Sequence, residues 1–162
     1  MLMKKIYIAQ RFEFDSAGSL KNDIRSLLLG NEKYLLNDLG KTVNILGDEY
    51  LYTGPFFNEK AAEHDLSASF GKIVVEAEKK SIDNCNTFVV IFDNEVSPGS
   101  VTELIYAALK GKKCYVFYLS DKNKSENWFP IEFSKLLGDN VRVIPYTNKD
   151  IFKKEILSNF SI

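Results

Sequence analysis

Runs of apolar, β-branched and aromatic residues recur along the chain and have the length of strands. Four of them are predicted to form strands: Lys4–Ala9, Thr87–Phe92, Lys113–Leu119 and Val141–Pro145. Thr87–Phe92 and Lys113–Leu119 show little polar alternation, which is typical of strands that are covered on both faces, as in a parallel sheet. The hydrophobic pattern therefore predicts a largely buried parallel sheet.

A fifth strand is predicted between Thr42 and Thr53. Two strand-like pieces, Thr42–Leu46 and Tyr50–Thr53, are separated there by the turn signal Gly47-Asp48. We interpret them together as the second strand of the sheet, or as a hairpin-like elaboration of that strand.

Between the strands, apolar residues recur at helical spacing. Helices are predicted within residues 15–39, from Phe70 to about Ser81, from Val101 to Lys110, around residues 133–137 and from Asn148 to Asn159. Strands that alternate with helices indicate a single α/β domain over residues 1–162. The predicted fold is three-layered, with a five-stranded parallel sheet of flavodoxin-like or Rossmann-like type.

The stretch from Thr87 to Gly111 joins a buried strand to a helix through a turn-rich loop. Pro98-Gly99 breaks the chain, Ser100 is predicted to cap the helix, and Glu103 then lies in its first turn. In open α/β sheets, ligands bind at the carboxyl ends of strands, in front of helix N-termini. Glu103 is therefore a candidate site residue. The alternative is a capping box, in which Glu103 bonds back to Ser100 and only stabilises the helix.

Several short motifs follow one another in an order that is characteristic of one family. Ser97–Glu103 reads S-P-G-S-V-T-E, Ile105–Ala107 follows it, and Gly111–Lys113 leads into the next apolar strand. With the opening strand Lys5–Ala9 and the Gly54–Phe57 element, this pattern resembles the nucleoside 2-deoxyribosyltransferase family and the related nucleotide N-glycosidases. The family pattern is D-x-G-T-x-x-E, then G-x-A, then a strand that begins G-K-x-V. The resemblance extends to about Leu119 and implies the fold given above.

The resemblance assigns roles to three acidic residues. Glu103 matches the family's nucleophile, and Asp93, at the end of the buried strand, is a candidate for positioning the sugar or protonating the leaving base. Glu78 lies four residues before Ile82 and matches an acidic residue that contacts sugar hydroxyls. The alternatives are that Asp93 only initiates a loop and that Glu78 pairs with a neighbouring lysine or with water.

Two residues depart from the family pattern. Ser97 replaces an aspartate and Ile105 replaces a glycine. A serine hydroxyl can donate a hydrogen bond to a phosphate that an aspartate would repel, so Ser97 favours an anionic ligand such as a 5′-monophosphate. Gly99 and Ser100 are expected to let the loop backbone approach the ligand closely.

Further candidates for substrate binding follow two of the strands. Gln10 and Phe12 come at the carboxyl end of the first strand, where a base or ribose would lie. Gly54, Pro55 and Phe56 resemble the family's Gly-Pro step at the nucleoside pocket, although that step commonly follows the first strand. The alternatives are a solvated loop for Gln10 and a core position for Phe12.

Composition excludes several kinds of partner. The net charge is −1 with both signs interspersed, so duplex nucleic acid is not expected as a partner. No apolar run approaches the roughly 20 residues that span a bilayer, and no signal-type segment begins the chain, so a cytoplasmic protein is expected.

Cys85 and Cys114 are isolated and His64 has no ligand cluster around it, so no metal site is expected. Without a dinucleotide or P-loop motif, no cofactor is predicted.

The motifs together predict an enzyme that cleaves or transfers the N-glycosidic bond of a (deoxy)nucleoside or nucleoside 5′-monophosphate through Glu103. Family resemblance further implies a homodimer or higher homo-oligomer whose partner is this small molecule. One alternative is a nucleotide-sensing or signalling module that binds without turnover. Others are an NAD-cleaving glycohydrolase and a plain receiver-like or flavodoxin-like domain in which the Gly99–Glu103 spacing is coincidental.

Overall fold

The computed structural model describes residues 4–10, 42–45, 48–52, 68–92, 96–120 and 128–160. The strands in these residues are β1 (Lys4–Gln10), β2 (Thr42–Ile45), β3 (Asp48–Tyr52), β4 (Thr87–Phe92), β5 (Lys113–Leu119) and β6 (Val141–Tyr146). The helices are α1 (Ala68–Asn84), α2 (Pro98–Leu109), α3 (Trp128–Ser134) and α4 (Lys149–Phe160). The helical pattern within residues 15–39 lies outside the described residues.

All six described strands join one sheet in the order β2-β3-β1-β4-β5-β6. Every pairing is parallel except that of β2 with β3, which is antiparallel. An α/β fold with a parallel sheet is therefore confirmed, and the described sheet has six strands where five were predicted, because the antiparallel β2 is added at one edge. Only two residues separate β2 from β3, and so short a connection can join strands only in antiparallel fashion. The segment predicted as one strand, or as a hairpin-like elaboration of that strand, is thus a hairpin at the edge of the sheet.

Side chains on both faces of the central strands are buried, as their unbroken apolar pattern predicts. On one face, Tyr7 of β1 stacks on Phe88 of β4 with ring centroids 5.5 Å apart, and Leu104 of α2 belongs to the same cluster. On the other face, Phe117 of β5 lies 5.0 Å from Phe152 of α4, centroid to centroid. Helices therefore cover both faces of the sheet.

Helices α1 and α2 lie side by side on the Tyr7 face, on either side of β4 in the chain. α1 leads into β4 and α2 leads away from it, so both run opposite to the strands and parallel to each other. Backbone hydrogen bonds from Asn86 N–H to Lys5 O (2.9 Å) and from Lys113 N–H to Asn86 O (3.1 Å) tie the turn before β4 to β1 and β5. These bonds lie at the amino end of the sheet, and α2, which follows β4, has its N-terminus at the carboxyl end.

No helix in the described part of the chain is long and apolar enough to cross a membrane.

Candidate active site

A cavity of about 390 Å³ lies between α1 and α2. Each helix contributes four residues at positions i, i+3, i+4 and i+7, which is the spacing of one helical face. The lining residues are Val75, Glu78, Lys79 and Ile82 of α1 and Gly99, Thr102, Glu103 and Tyr106 of α2. The cavity is therefore a groove along two parallel helices, and its Gly99 end lies toward the carboxyl edge of the sheet.

Glu78 and Glu103 meet across this groove through a hydrogen bond between their carboxyl groups. Both side chains are half-buried. Burial raises the pKa of Glu78 above its usual value, because desolvation disfavours the charged form, and the hydrogen bond to Glu103 opposes this in part. Two carboxylates in contact repel each other when both ionise, so ionisation of one opposes ionisation of the other. Burial favours the neutral form of Glu78, whereas the hydrogen bond, which lowers its pKa, favours the ionised form with Glu103 as the donor.

The start of α2 differs from the sequence prediction. Ser97, not Ser100, is the N-cap: its backbone is extended (φ −77°, ψ 139°), and its Oγ accepts a hydrogen bond of 3.0 Å from the backbone N–H of Ser100. Pro98 occupies the first helical position, where its fixed φ suits a helix and its missing N–H costs nothing. The helix therefore begins at Pro98 and not at Val101.

This shift of three residues changes the surroundings of Glu103. Glu103 lies in the second turn of α2, not in the first, and the alternative of a capping box with Ser100 as the N-cap does not hold, because Ser97 is the N-cap. Ser100 is buried inside the helix, where its Oγ accepts a hydrogen bond of 3.1 Å from Ser97 Oγ. The carboxyl group of Glu103 faces Glu78 in the groove, so its position is not explained by helix capping.

A second cluster, formed by Lys79, Asp83 and Tyr106, lies about one helical turn beyond the carboxyl pair. The hydroxyl of Tyr106 donates a hydrogen bond of 2.5 Å to Asp83 Oδ1, and Lys79 Nζ lies 3.0 Å from Asp83 Oδ2. Lys79 Nζ also lies 5.2 Å from the centre of the Tyr106 ring. Lys79, which sequence reasoning considered as a partner for Glu78, is paired with Asp83.

The sequence-predicted site residues separate into three groups. Glu78, Gly99 and Glu103 line the groove. Ser97 is the N-cap of α2, and Ser100 is bonded to it within the first turn. Gln10 is the last residue of β1 and pairs with Ile91 of β4 at the carboxyl edge of the sheet. Its side chain is not among those that the structure describes. Phe12, Gly54, Pro55, Phe56 and Asp93 lie outside the described residues.

Sequence reasoning did not select Thr102 and Tyr106 as site residues, nor Val75, Lys79 and Ile82 on α1. A signal was available for three of them, because Val75 and Ile82 lie three and four residues from Glu78 and Tyr106 lies three residues from Glu103, so each shares a helical face with that glutamate.

Neither cysteine lines the groove. Burial raises the pKa of Cys85 to about 11 and that of Cys114 to about 12, so both thiols are protonated and unreactive at neutral pH. In the described residues, His, Cys, Asp and Glu form no cluster of three or more that could hold a metal ion.

No protein-family model and no curated protein matches this sequence. Among solved structures, the CMP N-glycosidase BcmB of Clostridium botulinum is similar, with a TM-score of 0.56 and 17% sequence identity. The match covers 94% of this chain and 97% of the neighbour. The chain thus has a fold like that of a nucleotide N-glycosidase.

Proposed function

We propose that this protein cleaves the N-glycosidic bond of a nucleoside or nucleotide, with Glu103 as the carboxylate that attacks the anomeric carbon. The observation that carries the proposal is the carboxyl pair of Glu78 and Glu103 inside a 390 Å³ groove. The similarity in fold to a CMP N-glycosidase supports the same class of reaction.

The chemistry requires an anionic group beneath a sugar that develops positive charge. An oxygen of the Glu103 carboxylate forms a bond to the anomeric carbon while the bond from that carbon to the base nitrogen breaks. The electron pair of the broken bond stays on the base, which takes up a proton as it leaves. Water, or a second base in a transfer reaction, then attacks the same carbon and restores the Glu103 carboxylate.

Glu78 supports this step in two ways. Burial, the larger influence on its pKa, favours the neutral form of Glu78, and a neutral Glu78 leaves the negative charge of the pair to Glu103 in the reacting complex. Its carboxyl group also lies in the cavity lining, where it can exchange the contact with Glu103 for a sugar hydroxyl when substrate binds. Asp93, which follows β4, stays a candidate for protonating the leaving base.

The start of α2 is the proposed position for a substrate phosphate. The backbone N–H groups and the dipole of a helix N-terminus favour an anion, and Gly99 in the first turn lines the groove. Ser97 carries no charge that would repel the phosphate, whereas the family's aspartate would. A 5′-monophosphate is therefore the preferred form of the substrate. We further propose that the protein is a diverged relative of the nucleoside 2-deoxyribosyltransferases and, like them, a homo-oligomer.

The experiment that tests this function is measurement of base release by chromatography. The substrates are deoxyribonucleosides, ribonucleosides, their 5′-monophosphates and NAD, with and without a second free base as acceptor. Release from 5′-monophosphates above the uncatalysed rate is expected, and the acceptor arm distinguishes transfer from hydrolysis. Absence of release from every substrate, by protein that is folded and binds one of them, would replace the proposal with a binding module.

A further inference from the structure

Asp83 and Tyr106 connect α1 to α2 next to the carboxyl pair. The two residues are 23 positions apart in the chain, yet the Tyr106 hydroxyl donates a hydrogen bond of 2.5 Å to Asp83 Oδ1. A hydrogen bond to a carboxylate is charge-assisted and roughly twice as strong as one between neutral groups. This bond therefore holds the two helices together at one end of the groove.

The link lies close to the carboxyl pair on both helices. Tyr106 is three residues after Glu103 on α2, and Asp83 is five residues after Glu78 on α1. With a rise of about 1.5 Å per residue, the link is some 4.5–7.5 Å along the helix axes from the pair. Tyr106 also lines the same cavity. A change in helix separation at this link would thus be felt directly at the carboxyl contact.

The carboxyl pair needs such a restraint. Contact between two acidic groups becomes repulsive when both ionise, and repulsion pushes the helices apart. A hydrogen bond between carboxyl groups is lost when the oxygens separate beyond about 3.2 Å, so a small displacement is enough to break it.

We propose that Asp83 and Tyr106 are positioning residues, and that their hydrogen bond fixes the separation of α1 and α2 at which Glu78 and Glu103 make contact. The catalytic consequence of this inference rests on the proposed function, but the geometric claim does not.

The charges around the link keep it formed while the pair titrates. The pKa of Asp83 is lowered by its hydrogen bond from Tyr106 and then by Lys79, so Asp83 stays ionised at pH values where Glu78 gains or loses its proton. The amines of Lys79, in α1, and Lys110, the residue after α2, lie 5.2 Å and 5.5 Å from the centre of the Tyr106 ring. Of these four ionisable groups, Lys79 and Tyr106 line the groove, and Asp83 and Lys110 lie beside it.

The test is a pH titration of Glu78, followed by ¹³C NMR of the side-chain carboxyl groups in protein without substrate. The signal of Glu78 is assigned by its loss in Glu78→Gln. In Tyr106→Phe and Asp83→Ala, the titration midpoint of Glu78 is expected to move to lower pH, toward that of an ordinary glutamate, because water reaches the separated pair. Asp83→Asn keeps an oxygen that accepts from Tyr106, so its titration is expected to stay close to that of the wild type.

Asp139→Asn serves as the control, because Asp139 is exposed and lies in the turn before β6. A purely structural role would lower the melting temperature of Tyr106→Phe and leave the Glu78 titration unchanged, and that result overturns the inference. If Tyr106→Phe does not fold, the Glu78 titration midpoints of Asp83→Ala and Asp83→Asn are compared instead. A lower midpoint in Asp83→Ala alone supports the inference, and equal midpoints overturn it.

Activity measurements separate this inference from the proposed function. If the wild type releases base, Tyr106→Phe is expected to lose about 10- to 100-fold in kcat with little change in KM, because the attacking group is displaced while binding contacts remain. If the wild type releases no base, the proposed function fails, and the NMR titration still decides whether Asp83 and Tyr106 position the pair.

Discussion

Glu78 and Glu103 share a hydrogen bond across a groove, although both are acids, and Lys79, the cation that lines the same cavity, is paired with Asp83. A contact of this kind costs free energy if its only role is structural, because two half-buried acids stabilise a fold less than apolar side chains would. Perturbed carboxyl groups that converge in a cavity are instead typical of active sites.

The first prediction concerns stability against pH in Glu78→Gln. Burial raises the pKa of Glu78, so the folded state retains a proton that the unfolded chain has already released. The stability that Glu78 contributes is therefore full below the ordinary value of 4.5 and is lost as the pH rises through the raised pKa. Glu78→Gln resembles the protonated form, so its free energy of unfolding is expected to fall less than that of the wild type as the pH rises. The variant is therefore expected to be more stable than the wild type at pH 8.

Urea unfolding at a series of pH values measures this effect. The matched control is Glu76→Gln, two residues away on α1, whose side chain is 65% exposed and pairs with Lys72 at 3.7 Å. Equal pH dependence in wild type and Glu78→Gln would show that Glu78 does not titrate with a raised pKa.

The second prediction concerns the cap of α2. Ser97→Ala removes the acceptor for the backbone N–H of Ser100 and is expected to lower the free energy of unfolding by about 1 kcal/mol. Ser120→Ala, at an exposed serine after β5, is expected to change it by less than about 0.5 kcal/mol. Chemical denaturation measures both, and equal losses would contradict the assignment of Ser97 as the cap.

A third prediction separates capping from substrate selection at the same position. Ser97→Asp keeps a good N-cap, so stability is expected to stay near that of the wild type. The new charge repels a 5′-phosphate, and turnover of the 5′-monophosphate is expected to fall at least tenfold more than turnover of the nucleoside. Steady-state kinetics on the two substrates measures the ratio. A parallel fall for both would place the phosphate away from the start of α2.

The fourth prediction concerns the two cysteines. Because burial raises the pKa of Cys85 to about 11 and that of Cys114 to about 12, neither is expected to react with iodoacetamide in native protein at pH 8. Both are expected to react fully in urea. Mass spectrometry counts the added groups, and rapid labelling of the native protein would show that these thiols are accessible.

The sequence alone was sufficient to predict the bounds of the central strands β4 and β5. It was not sufficient to predict the first residue of α2, the helix that follows β4. Thr87–Phe92 and Lys113–Leu119 were predicted with the observed bounds, since burial on both faces leaves an apolar run with polar residues only at its ends. Ser97 and Ser100 are both acceptable N-caps. Pro98 decides between them, because proline favours the first helical position and so makes Ser97 the N-cap. The prediction that began the helix at Val101 did not use this preference of proline.

The contact between Glu78 and Glu103 could not be predicted from the chain. Each residue was selected by its place in a motif, but whether their carboxyl groups meet depends on the separation and rotation of two packed helices. The spacing of Val75, Glu78 and Ile82 shows that these three residues lie on one face of α1. It does not show which residue of α2 lies opposite Glu78. The hydrogen bond from Tyr106 to Asp83, which we infer fixes that arrangement, has no recognisable sequence signature.

The most direct test of the account compares base release by wild type and Glu103→Gln on the best substrate of the panel. The variant keeps the shape of the side chain and removes the nucleophilic charge, so kcat is expected to fall by at least about 1,000-fold. Glu76→Gln, the exposed glutamate of α1, is expected to retain wild-type kcat. A Glu103→Gln protein that is folded and releases base at the wild-type rate would contradict the assignment of Glu103 as the attacking group.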